Sequence, residues 1–186
     1  LELRAAGQLD RVRMVLLTNC TFDGLVYNVR RVMEECLAIK KDLIFLWDEA
    51  WFAFARFSPV FRQRTAMATA SRLRRILRTS ERAEAWRKQE EALAEADDDE
   101  WLNTRLIAPP DARIRVYATQ STHKTLTSLR QGSMIHVHDQ DFKGATEQAF
   151  HEAYMTHTST SPNYQIIASL DVGRRQVELE GYEFVQ

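Results

Sequence analysis

Hydrophobic positions fall into short blocks separated by polar clusters. The run Arg13 to Thr18 (RMVLLT) is continuous, apolar and too short for a helix, which predicts a buried strand ending at the polar stretch Asn19 to Gly24. Apolar side chains then recur at Leu25, Val26, Val29, Val32, Met33, Cys36 and Leu37, the spacing of a helix with one buried face. Lys40 and Lys41 follow, cations suited to the negative end of the helix dipole. Leu43 to Trp47 (LIFLW) reads as a second buried strand that ends at Asp48. Strand, helix and strand in close succession form a βαβ unit, whose crossover requires a parallel pair.

Ile114 to Ala118 (IRVYA) is a third strand, running into the polar cluster Thr119 to Lys124. In parallel α/β sheets the strand C-termini open onto a crevice where ligands collect, so the clusters after each strand are expected to face one space. Met134 to Val137 follows too soon for another crossover and reads as an antiparallel edge strand. Between Arg62 and Asp111, nine basic residues precede the acidic stretch Glu90 to Glu100. The Ala-rich, Pro-free sequence from Thr65 to Ala96 favours helix, with a narrow apolar stripe at Leu73, Ile76 and Leu77 and a solvated charged face. The acidic end, DDDE, is expected as a loop. Phe142 to Tyr154 predicts a surface helix, and a further helix is expected to open at Pro162 behind a Ser161 cap. The fold class is therefore α/β, three-layered α/β/α, with a mostly parallel sheet carrying one antiparallel strand.

Composition narrows the function. Of 186 residues 45% are hydrophobic, and 25 basic residues face 26 acidic ones, so the chain has no bulk positive field for nucleic acid or an anionic membrane. Cys20 and Cys36 sit in no zinc or disulfide pattern, which points to a reducing, cytoplasmic setting and to no metal. A small-molecule ligand is expected. On position alone, Lys124 could mark the exit of a strand to solvent. Asp48, also at a strand end, adds a carboxylate to the same crevice. A lysine amine and a carboxylate together suit pyridoxal 5'-phosphate, which binds its lysine as an imine and needs a carboxylate to keep the ring nitrogen protonated. Ser121 is placed to reach a phosphate, and His123 a phosphate or a substrate carboxylate.

Four segments carry a resemblance: LTNCTFDGLVYN (Leu17 to Asn28), FLWDEAWFAFARFSPVF (Phe45 to Phe61), ATQSTHKTLTSLRQGSMIHV (Ala118 to Val137) and FHEAYMTHTSTSPNYQIIAS (Phe150 to Ser169). In this order they resemble the bacterial ornithine/lysine/arginine decarboxylases, pyridoxal phosphate enzymes of the aspartate aminotransferase fold. The resemblance implies that Lys124 is the cofactor's lysine, Asp48 its pyridinium partner and Ala50 a residue packed on one ring face. It places Ser121 and His123 near the phosphate, with Lys124 and His123 as catalytic groups in proton transfer. By the same resemblance Ser159 reaches the phosphate of a neighbouring subunit, so a homo-oligomer with shared active sites is expected. Trp51 and His157 are read as direct contacts or as packed structural side chains. Asn19, Thr21 and Asp23 lie beside the ring without an assigned role.

The family's upstream phosphate-holding segment would precede Leu1 and its small domain would follow the chain. The 186 residues thus read as part of a larger major domain, in which 62–112 is expected to be a charged helical insertion. The implied reaction is decarboxylation of arginine, lysine or ornithine, with DEAWFAFARFSP worded closest to arginine decarboxylases. An aminotransferase or aldolase of the same fold, or a non-catalytic assembly subunit, are the alternatives.

Overall fold

The computed structural model describes residues 1–184. A single helical turn, α1 (Glu2–Ala5), precedes a four-stranded sheet in the order β1-β2-β3-β4, made of Met14–Thr18, Ile44–Asp48, Arg115–Ser121 and Ser133–Asp139. β1, β2 and β3 pair in parallel, while β4 joins β3 antiparallel as the edge strand that the sequence predicts. β3 runs three residues further than expected, so Thr119 to Ser121 belong to the ladder and not to the loop beyond it.

The βαβ unit closes through α2 (Val29–Ile39). This helix starts four residues later than the apolar spacing suggests, because Leu25 and Val26 belong to a turn: Gly24 takes φ +90°, and Cys20 bridges to Val26. Asn28 then caps the helix, its Oδ1 accepting the Arg31 amide at 3.2 Å. α3 (Ala66–Ile76) follows β2, capped by Thr65, and buries Ala66, Ala70 and Leu73, two of them small enough to bring the helix close to the sheet. Strand alternation sends Phe45, Trp47, Val116 and Ala118 to one side of the sheet, where they form the main core with Val29, Met33 and Leu37 of α2 and Leu73 and Leu77 beside α3. Two of the three residues of the expected apolar stripe, Leu73 and Leu77, thus lie in the principal core, and Ile76 packs against it.

α4 (Ser80–Ala92) presents the solvated charged face anticipated for this stretch and buries no residue. The DDDE segment expected as a loop is instead the start of α5 (Asp98–Asn103): Asp97 accepts the Glu100 amide at 2.9 Å, and the acidic side chains sit at the positive end of the helix. On the opposite face of the sheet, α6 (Glu147–His157) follows a π turn at Phe142–Thr146, and Phe150 stacks on Tyr117 with ring centroids 6.2 Å apart. Helices therefore flank the sheet on both faces. α7 (Tyr164–Phe184) is capped by Asn163, whose Oδ1 accepts the Ile166 amide at 3.1 Å; the expected Ser161 cap is lost because Ser161 turns its own amide to Ser159 Oγ.

One strand departs from expectation. β1 is the other edge of the described sheet, and its outer face is open, with Met14 48% and Leu16 62% exposed. No helix among the described residues is long and apolar enough to cross a membrane.

Candidate active site

Asp48 ends β2 and stands in register between Thr18 of β1 and Thr119 of β3. It is half-buried, and its Oδ1 accepts the Ala50 amide at 2.9 Å, which folds the chain back over the strand end. Oδ2 has no hydrogen-bond partner among the described residues. Beyond β3 the chain turns sharply against the start of β4. The Thr122 amide and His123 Nδ1 both donate to the Gly132 carbonyl, each at 3.1 Å. A Cβ at position 132 would lie 2.4 Å from Thr122 Oγ1, so any larger residue there forces that side chain to shift. Lys124 consequently projects from the rim of the sheet, exposed, with its Nζ 5.0 Å from the centroid of the Trp51 ring. Trp51 lies three residues past Asp48, so the lysine loop and the aspartate turn meet at the C-terminal rim of β2 and β3. No carboxylate pairs with Lys124 among the described residues.

The other expected residues divide into two groups. Ala50 lies in the Asp48 turn, and Ser121 closes β3 on the sheet face that carries Asp48 and Thr119. His123 sits beside Lys124 and carries its ring proton on Nδ1, since Gly132 O can only accept, which leaves Nε2 as the acceptor of the neutral ring. Three hydroxyls of this loop, on Thr122, Thr125 and Ser128, are buried without a hydrogen-bond partner among the described residues. Ser159, by contrast, lies in the exposed link between α6 and α7, bonded only to Ser161, and His157 is exposed at the end of α6. Neither is tied to the Asp48–Lys124 rim by a hydrogen bond among the described residues. Thr21 and Asp23 bond to each other in the exposed turn after β1.

Sequence reasoning passes over Glu49. Next to Asp48 it points the other way and is fully buried, at 0% exposure. Its Oε1 accepts from Asn19 Nδ2 at 2.8 Å and from the Ala66 amide at 2.7 Å, and its Oε2 from Gln120 Nε2 at 2.9 Å. His136 Nε2 donates in turn to Gln120 Oε1 at 3.1 Å. Alternation in the strand could have revealed it: Phe45 and Trp47 are the inward residues of β2, and Glu49 continues their series.

The family described as Orn/Lys/Arg decarboxylase, major domain, matches residues 2–96 and 104–184, and so takes in α3 and α4. A lysine decarboxylase of Pseudomonas aeruginosa is 33% identical over 174 residues, covering 94% of this chain and 18% of its own. The biodegradative arginine decarboxylase of Escherichia coli is 34% identical over 158 residues, covering 84% of this chain and 16% of its own. Among solved structures, lysine decarboxylase A from Pseudomonas aeruginosa superposes with a TM-score of 0.51 at 30% identity, over 90% of this chain and 17% of that one. The chain thus spans less than a fifth of the length of these relatives. With the mixed sheet and the matched sequence in agreement, this chain belongs to the Orn/Lys/Arg decarboxylase family and corresponds to part of its major domain.

Proposed function

We propose that this segment supplies the cofactor lysine and the ring-nitrogen carboxylate of a pyridoxal phosphate-dependent enzyme that decarboxylates a basic amino acid. The observation that carries this is the pairing of ends: beyond the C-termini of the neighbouring strands β2 and β3 stand an amine with no carboxylate partner and a carboxylate oxygen with no hydrogen-bond partner among the described residues. That donor set fits the group, which needs an amine for its aldehyde and an anion for its ring nitrogen. When bound, pyridoxal phosphate supplies an aldehyde that captures amines and a cationic ring that accepts the electrons released as carbon dioxide departs.

The chain's own residues then have distinct tasks. Lys124 Nζ holds the cofactor between turnovers. Asp48 Oδ2 keeps the proton on the ring nitrogen, its partner Oδ1 anchored by the Ala50 amide so that the carboxylate cannot swing away. Ala50, in the Asp48 turn, would pack against the cofactor's ring, and Trp51 holds the lysine by its π face. Ser121 Oγ and His123 serve the phosphate side. Lys124 and His123 both assist the proton transfer that completes the amine, Lys124 Nζ as a donor and His123 Nε2, the bare nitrogen of the neutral ring, as an acceptor. Ser159, in the exposed link between α6 and α7, serves a neighbouring subunit of a homo-oligomer. The two free thiols, Cys20 and Cys36, accord with a cytoplasmic setting.

Product analysis tests this. Full-length protein with added pyridoxal phosphate, offered arginine, lysine and ornithine separately, is expected to release carbon dioxide and the matching amine from one of them, arginine first by sequence wording. The Lys124→Ala variant is expected to release neither. A keto acid in place of the amine, or turnover surviving in Lys124→Ala, would contradict the assignment.

A further inference from the structure

Glu49 has no task in that chemistry, yet a carboxylate is costly to bury and is retained only where its surroundings repay the loss of water. Here every neighbour is a donor, and each comes from a different element: Asn19 from the end of β1, Gln120 from β3 and the Ala66 amide from the first turn of α3. No lysine or arginine pairs with it among the described residues. The anion also lies at the positive end of the α3 dipole. Asn19 Nδ2 extends the web to the Arg64 carbonyl at 3.2 Å, and His136 extends it to β4.

We propose that Glu49 is the positioning residue for Asp48, a buried knot tying three strand ends and one helix start so that the carboxylate beside it stays fixed on the opposite face of the rim. This rests on the assignment of Asp48 to the ring nitrogen. The backbone transmits the effect: the Asp48 carbonyl accepts the Asn19 amide and the Glu49 amide donates to the Thr119 carbonyl, both at 2.8 Å, so the peptide between the two carboxylates is pinned on both flanks. Among the described residues Asp48 has a single side-chain hydrogen bond, from the Ala50 amide, and its direction follows from that pinned peptide.

The network also predicts which substitution it tolerates. Glutamine at 49 keeps Oε1 for Asn19 and Ala66. Its new amide faces Gln120, which can turn its carbonyl inward, and His136 can then move its proton to Nδ1 and accept at Nε2. Alanine strands all three donors.

The test is a double-mutant cycle in the full-length chain, read by the dissociation constant of pyridoxal phosphate and the visible band of the bound cofactor. Glu49→Ala is expected to weaken cofactor binding by about tenfold or more, the usual loss for a supporting group behind a ligand contact. Glu49→Gln is expected to stay within about twofold of wild type, and Glu49→Ala to add no more than about twofold in an Asp48→Ala background. Should Glu49→Ala not fold, Asn19→Ala removes one of the three bonds and is held to the same criterion. Wild-type affinity in Glu49→Ala, or an undiminished loss on top of Asp48→Ala, would overturn the proposal while leaving the decarboxylase assignment intact. If Asp48→Ala alone changes neither affinity nor band, the assignment of Asp48 falls, and this proposal with it.

Discussion

Asp48 and Glu49 are neighbours in sequence and opposites in environment, and the two-residue period of a strand is the cause. Asp48 shares its face with Thr119 and Ser121 and keeps contact with solvent, whereas Glu49 extends the inward series of Phe45 and Trp47. Asn19 after Leu17 and Gln120 after Ala118 extend the inward series of their own strands in the same register, so the buried network was latent in the sequence. It was missed because DEAW reads as a motif, not as a strand. Lys124 and Asp48 were legible from their positions at strand ends. At the far side of β4, His138 shows the same burial acting on an imidazole. Desolvation first, and then Arg74, push its pKa below the ordinary value, with Asp139 opposing, and its Nε2 is buried without a partner among the described residues. The unfolded chain takes up this proton near pH ~6.5, and the folded chain only at lower pH. The contribution of His138 to stability is therefore complete above that value and falls as pH drops through the window beneath it. An NMR titration is expected to place the midpoint of His138 below the ordinary histidine value of about 6.5; a midpoint at or above that value would contradict the burial argument.

Elements were legible where apolar runs were unbroken and hidden where single side chains decide. β2 and β3 follow from continuous hydrophobic blocks. The starts of α2, α5 and α7 follow from one hydrogen bond each, made by Asn28, Asp97 and Asn163, and for α7 the sequence offers Ser161 as an equally plausible cap. Nor could local pattern show that α7 packs against the lysine loop. Gly173 of α7 lies so near that a Cβ would stand 2.3 Å from the Thr127 carbonyl, a backbone atom with little freedom to yield. Gly173→Ala should therefore push α7 and the loop apart, at a cost of about 1–3 kcal/mol. Hydrogen exchange is expected to quicken across residues 122–132, far more than in Gly181→Ala, whose Cβ would meet the side chain of Phe57 at 3.2 Å. Unchanged protection in Gly173→Ala would show that the two elements are not in contact.

Across the whole molecule, the sheet has one well-filled side and one partly covered side. α2 and α3 close the inner face over β2 and β3, while α6 reaches Tyr117 and leaves Met14 and Leu16 of β1 uncovered. The candidate rim lies where these two halves meet, at the C-terminal ends of β2 and β3, as the rule for parallel sheets requires. Ser159, assigned by resemblance, lies in the exposed link between α6 and α7 and is bonded to Ser161 among the described residues. The measurement that tests the central claim most directly is borohydride reduction of the full-length protein with pyridoxal phosphate, followed by peptide mapping. The account predicts a covalent pyridoxyl group on Lys124 and its loss in Lys124→Ala. A label on any other lysine, with Lys124 unmodified, would contradict it.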